Sequence, residues 1–275
     1  MQILHHDDSL YDQFLDLLGI RRRQPGLDAL NELVTAFMTR IPFENISKLY
    51  YKKRFQLLQL PPLSQYLQGI AEYNFGGTCY SNNYFLNLLL KHLGYDARLC
   101  GADMNVPDCH LVNMVTLNGR EYLIDPGYAA PFLRPLPRDL PHDLEIRLGR
   151  DRYVLRPKDE QGYSRIDLYR DGELFHGYTA KPTPREIDFF ESEIQSSFTP
   201  ESIFMSSLLV VRQFENRSVV IYNTTLIESE GDSFEITRFD DLAEMPDHIE
   251  SHFAIPKTIA SEALSQLDKL KNPWN

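Results

Sequence analysis

Residues 8–20 and 27–40 carry leucines and phenylalanines at three- and four-residue spacing on either side of Pro25-Gly26. That pattern predicts two amphipathic helices joined by a turn. A third helix is expected over about 63–73, and a fourth from Cys79 onward, where Tyr84, Phe85, Leu88 and Leu89 form a stripe and Gly94 stands ready to stop it. From about Ala97 the texture changes to short alternating runs broken by Asn-Gly, Asp-Gly and proline, which reads as antiparallel strands. The segment 133–142, "LRPLPRDLPH", is too rich in proline for regular structure and is expected as an ordered crossover loop. "DRYVLRP" reads as a strand, and "SRIDLYRDGELFHGY" as a hairpin folded at Asp171-Gly172. Residues 183–196 read as a helix with Thr183 as N-cap and Pro184 at its first position. Strands follow near 208–213, 217–229 and 233–238, and "DDLAEMPDHIESHF" and "PKTIASEALSQLDKL" close the chain as helices.

Composition narrows the class. The chain has 275 residues, 43% of them apolar, and a formal charge of −11. A globular protein is expected, with a field that opposes nucleic acid and anionic membranes. No apolar run approaches a membrane span, and the N-terminus lacks the pattern of a secretory leader. Cys79, Cys100 and Cys109 are an odd number without C-x-x-C spacing, so neither a disulfide framework nor a metal site is expected, and a reduced, cytoplasmic setting fits best.

Two segments carry candidate chemistry. In "YNFGGTCYSNNYFLNLLLKHLG" Cys79 opens a helix, where unpaired backbone N–H groups and the helix dipole stabilise a thiolate and offer an oxyanion hole. Taken alone it fits a buried core position at least as well. In "HLVNMVTLNGREYLIDPGY" two β-type runs flank Asn118-Gly119. A two-residue turn there pairs Leu117 with Arg120 and carries the register to Val112 opposite Asp125. His110 then shares a face with Asp125 as its diagonal neighbour, within reach of an imidazole–carboxylate hydrogen bond. Singly, His110 fits a strand-end histidine and Asp125 a turn residue. With Cys79 they supply nucleophile, base and orienter, in the chain order of papain-like chemistry.

With "IPFENIS" at 42–48, "FGGTCYSNN" at 75–83, "HLVNMV" at 110–115 and "IDPGYA" at 124–129, the sequence resembles the arylamine N-acetyltransferases. The resemblance implies an α+β fold in three parts. These are a helical bundle with the nucleophile (1–95), a central antiparallel β-barrel with His and Asp (96–198) and an α/β lid (199–275). It implies ping-pong acyl transfer from acetyl-CoA, a co-substrate and not a bound cofactor, through Cys79 to an arylamine or related amine. His110 would be the base and Asp125 the orienting carboxylate, with Phe43 and Tyr128 lining the acceptor pocket. An amide synthase using an acyl carrier, a thiol hydrolase with the same triad, and a non-catalytic family member that binds a small molecule are the alternatives. Two positions depart from the family pattern: Phe75 stands where it has arginine and Ser81 where it has an acid. Glu44 of "PFEN" therefore loses its ionic partner, and is expected either to find another cation or to become exposed.

Overall fold

The structure, a computed structural model, describes residues 4–267 and 270, with side chains from residue 8. Helices α1 (Leu4–Leu18) and α2 (Leu27–Arg40) form where periodicity predicts them, and they bury Phe14, Leu30, Leu33 and Phe37 against each other. A two-residue strand β1 (Phe43–Glu44) then leads into a helix that periodicity does not predict, α3 (Ile46–Phe55). Only Ile46, Leu49 and Tyr50 hold a helical spacing there, and the polar Lys52-Lys53-Arg54 run at its end obscures them. Helices α4 (Leu63–Tyr73) and α5 (Cys79–His92) follow as expected, and Gly94, at φ +88°, turns the chain away. The predicted one-sided stripe on α5 is an underestimate: Cys79, Tyr80, Asn82, Asn83, Phe85, Leu86, Asn87, Leu89 and Leu90 are all buried, because this helix lies between two cores.

Strands β2 (Asp96–Asp103), β3 (His110–Leu117), β4 (Arg120–Ile124), β5 (Leu136–Pro137), β6 (Leu144–Leu148), β7 (Asp151–Leu155), β8 (Ser164–Arg170) and β9 (Glu173–Pro184) make one antiparallel sheet. Its order is β5-β4-β3-β2-β9-β8-β7-β6, and the edge strands β5 and β6 do not pair with each other. The sheet curls around Val112, Met114, Leu123, Ile166 and Tyr178 as a half-barrel, where an antiparallel β-barrel was expected. The β3–β4 turn is of the two-residue type, with Asn118 at φ +52° and Gly119 at φ +77°, and the register runs from Leu117↔Arg120 to Asn113↔Ile124. The crossover loop 133–142 holds regular structure only at β5.

The helix expected at 183–196 is displaced. Strand β9 continues through Pro184, which pairs with Cys100, and the Arg185 N–H donates to the Leu99 carbonyl at 2.8 Å. The unpaired edge of β2 captures this backbone, so strand pairing overrides the local cap signal. A 3₁₀ turn at Ile187–Phe190 and then α6 (Glu191–Ser196) carry the helical residues, followed by the single turn α7 (Ile203–Ser206).

Strands β10 (Leu209–Phe214), β11 (Arg217–Tyr222), β12 (Thr225–Glu230) and β13 (Ser233–Arg238) form a second antiparallel sheet, which β1 extends at the β10 edge. The run expected as one strand over 217–229 is two, because Asn223, at φ +51°, turns the chain. A capping box from Asp241 to Glu244 starts a 3₁₀ turn that leads into α8 (Met245–Phe253), and α9 (Lys257–Leu264) ends earlier than the 256–270 run predicts. Positions 268 and 269 of that run lie outside the described residues. One core joins Ile46, Leu49 and Cys79 to Leu99, Leu111 and Phe190 and to Leu208, Ile221 and Phe253. All three sequence segments therefore meet at the start of α5.

Candidate active site

Cys79 is the first residue of α5, with Thr78 in extended backbone before it, and is 7% exposed. What brings the preceding chain close is glycine. A Cβ on Gly76 would lie 1.9 Å from the Pro42 carbonyl oxygen, and one on Gly127 would lie 2.6 Å from the Cys79 Cα. The Asp125-Pro126-Gly127 turn thus sits directly on the backbone of Cys79.

His110 opens β3 and Asp125 follows the last residue of β4; each is 1% exposed. The imidazole Nε2 donates to Asp125 Oδ2 at 2.8 Å, as the hairpin register predicts. That contact leaves Nδ1 as the ring nitrogen available to Cys79. Asp125 Oδ1 accepts from Asn83 Nδ2 and from the Gly127 N–H, both at 2.9 Å, so the carboxylate is held from three sides. Burial by itself lowers the His110 pKa, but the charge and hydrogen bond of Asp125 together with the Cys79 thiol outweigh it and raise it to about 10.

Asn83 is held in turn by Asn113, whose Nδ2 donates to the Asn83 carbonyl at 2.9 Å and to its Oδ1 at 3.1 Å, while Asn87 donates to Asn113 Oδ1 at 2.9 Å. Sequence reasoning overlooked Asn113 and Asn87. The available signal was an asparagine inside the otherwise apolar run "HLVNMV", since a buried amide needs partners.

Tyr128 is half-buried beside the pair, with its ring 6.1 Å from His110 and 4.9 Å from Tyr178, and its hydroxyl 2.9 Å from His176 Nδ1. Phe43 is 6% exposed and packs edge-to-face on Phe204 at 5.7 Å.

Glu44 follows neither expected course. It is fully buried and, among the described residues, pairs with no cation; its Oε2 accepts from the Ser47 N–H at 2.7 Å and its Oε1 from the Gly76 N–H at 3.0 Å. Burial raises its pKa against those hydrogen bonds. Phe75 fills the arginine's place within a ring cluster, 5.2 Å from Tyr73 and 5.7 Å from both Tyr50 and Tyr51. Where the resemblance implied an ionic network, aromatic packing around Phe75 and backbone N–H groups on Glu44 stand instead. Asn45 of the same motif donates to the Phe204 and Ser207 carbonyls and accepts from the Leu209 N–H, tying the first third to the second sheet.

Among the described residues no three His, Cys, Asp or Glu side chains gather where they could hold a metal ion, and no helix is long and apolar enough to cross a membrane. All three cysteines are free.

The sequence model of the N-acetyltransferase family matches residues 26–260. An arylamine N-acetyltransferase of Mycolicibacterium smegmatis is 25% identical over 258 residues, covering 88% of this chain and 90% of its own. An N-malonyltransferase of Fusarium pseudograminearum is 28% identical over 247 residues, covering 75% of this chain and 70% of its own. The solved Mycobacterium marinum arylamine N-acetyltransferase in complex with CoA superposes with a TM-score of 0.77 at 21% identity, over 95% of this chain and all of that one.

Proposed function

This chain belongs to the arylamine N-acetyltransferase family of enzymes, and from that premise we propose that it moves an acetyl group from acetyl-CoA, through a thioester on Cys79, to an arylamine or related amine. The observation that carries this reading is the buried His110–Asp125 pair set against a cysteine at a helix N-terminus. His110, oriented by Asp125, stands as the base that takes the Cys79 proton and leaves the nucleophilic sulfur. The thiolate attacks the thioester carbonyl, the first-turn N–H groups of α5 receive the developing oxyanion, and CoA leaves with the proton of His110. The amine then attacks the acyl-enzyme and gives a proton to His110, and collapse of the intermediate frees Cys79. Asp125 holds the ring in one orientation throughout.

In this reading Tyr128 and Phe43 line the acceptor pocket, and residues 1–95, 96–198 and 199–275 act as nucleophile-bearing bundle, His–Asp sheet and lid. The CoA complex of the M. marinum neighbour supports acetyl-CoA as co-substrate.

Intact-protein mass spectrometry after exposure to acetyl-CoA tests the proposal. One acetyl group should appear, vanish in Cys79→Ser and be discharged by an aromatic amine. Persistent failure to acylate, with a Cys79 that alkylates no faster than a free thiol, would sink it.

A further inference from the structure

His110 opens β3 at the end of residues 104–109, an irregular stretch that turns at Asp108, φ +56°, and leaves Asn105, Val106 and Pro107 exposed. The place of the imidazole depends on what holds this stretch. Within the first sheet it is held twice: the Asp108 N–H donates to Asp103 Oδ1 at 2.8 Å, and the Lys181 ammonium of β9 bridges Asp103 at 2.7 Å and Asp108 at 2.9 Å. Both contacts lie inside the sheet that carries His110, so neither sets its distance from α5. Tyr80 supplies that tie. It is the second residue of α5, 5% exposed, and its hydroxyl donates to the Cys109 carbonyl at 3.1 Å. Among the described residues this is the hydrogen bond that joins residues 104–109 to α5. It links the chain neighbour of Cys79 to the chain neighbour of His110.

Asn83, one turn further along the same helix, ties Asp125 at 2.9 Å, so α5 grips the His110–Asp125 pair at both ends. The Tyr80 ring packs in the core 6.4 Å from Phe190, a contact that phenylalanine would keep; the hydroxyl is the part of the side chain that makes the tie. Burial, and next the charge of Cys79, push its pKa well above the usual tyrosine range, so it stays an O–H donor wherever the protein works. We propose that Tyr80 is a positioning residue: its hydroxyl, through the Cys109 carbonyl, sets the gap that the proton crosses between the Cys79 sulfur and the His110 ring. This rests on the thioester mechanism above and concerns how its first proton transfer is held in register. The hydroxyl reaches a backbone carbonyl and no reacting atom, so it changes the rate of the chemistry and the binding of neither substrate.

The test is single-turnover acylation of the whole protein by acetyl-CoA, read by intact mass and thiol release across the pH range in which it stays folded, with thermal unfolding alongside. Tyr80→Phe keeps the ring and should melt within about 2–4 °C of the unaltered protein, the cost of one neutral hydrogen bond. Its acylation rate at saturating acetyl-CoA should fall roughly 10-fold, part of the 10²-fold that a shift near 1 Å in a reacting group can cost. The half-saturating concentration should not move. The rising limb of the pH–rate profile should move to higher pH, because a wider gap makes the thiol a weaker acid toward His110. An unaltered rate and pH profile in Tyr80→Phe overturns the inference, and a slow Tyr80→Leu beside it assigns the residue to core packing. A slower rate with an unaltered pH profile marks a general loosening of the site and also counts against it. A higher half-saturating concentration at an unaltered rate places Tyr80 against the donor and overturns it too. Failure of both acetyl-CoA and 4-nitrophenyl acetate to acylate the unaltered protein removes the acyl-transfer reading, and this inference falls with it.

Discussion

Gly127→Ala isolates the packing that places Cys79. Gly127 does not need glycine for its backbone angles, because its φ lies outside the left-handed region; what excludes a side chain is contact. The added Cβ would lie 2.3 Å from Asn83 Nδ2, 2.6 Å from Cys79 Cα and 3.0 Å from Cys79 Cβ. The Asn83 amide is already committed to Asp125 and Asn113, so it cannot swing away without breaking the buried network. The contact with Cys79 Cα falls about 0.8 Å short of the 3.4 Å at which ordinary van der Waals contact begins, and it must be relieved by moving α5 or the 125–127 turn. Overpacking of this kind costs about 1–3 kcal/mol, lowering Tm by roughly 2–4 °C per kcal/mol in a chain of this size. Cys79 and Asp125 ride on the two elements that must separate, and a shift near 1 Å in a reacting group can cost about 10²-fold in rate. The assay is single-turnover acylation by 4-nitrophenyl acetate, well below the melting point, followed through released nitrophenolate beside thermal unfolding by circular dichroism. Gly26→Ala, where the nearest outside atom to a Cβ is 4.0 Å away, is the control and should acylate normally. A Gly127→Ala protein that acylates at the unaltered rate, whatever its Tm, would refute the claim that this turn positions the cysteine.

Three further outcomes follow from the same contacts. Glu44→Gln keeps the shape of the side chain yet should destabilise by about 1–3 kcal/mol in urea at pH 7, because both oxygens accept backbone N–H groups and the new NH₂ leaves one donor unpaired; a gain in stability would count against the two-acceptor role. His110, raised to about 10 in the fold from an ordinary value near 6.5, adds stability that is complete below pH ~6.5 and is lost as pH climbs toward 10. The stability gap between the unaltered protein and His110→Gln should accordingly be widest near pH 6 and shrink with rising pH, and a gap that widens contradicts the pairing. Asn45→Ala strands the Leu209 N–H and two carbonyls, and should both cost about 1–3 kcal/mol and speed amide exchange at Leu209; unchanged exchange there would show that the second sheet holds β10 without it.

The site was more legible than the fold around it. Local rules placed His110 against Asp125, since Asn118-Gly119 fixes a two-residue turn and the turn fixes every pair up the ladder. They likewise placed Cys79 at a helix start, where two glycines and a following stripe mark the boundary. They failed where distant chain decides. Thr183-Pro184 carries a sound local signal for a helix, but the open edge of β2 recruits it as strand. Helix α3 shows little periodicity because the later α8–α9 region completes the core that Ile46 and Leu49 enter.

By itself the sequence determined the chemistry on offer: a thiol at a helix start and an imidazole–carboxylate pair on one hairpin, each set by residues within a few positions of one another. Only the tertiary structure decided how that chemistry is held. Asn83 reaches Asp125 across 42 positions, Gly127 presses on Cys79, and Glu44 keeps its buried place on two backbone donors in the absence of an arginine. Lys48 meets Ser197 across 149 positions of chain, and no local pattern could have shown that contact. The reason is physical: turns and caps are set by neighbouring dihedral angles, whereas burial and the pairing of charges depend on which remote segments share a core.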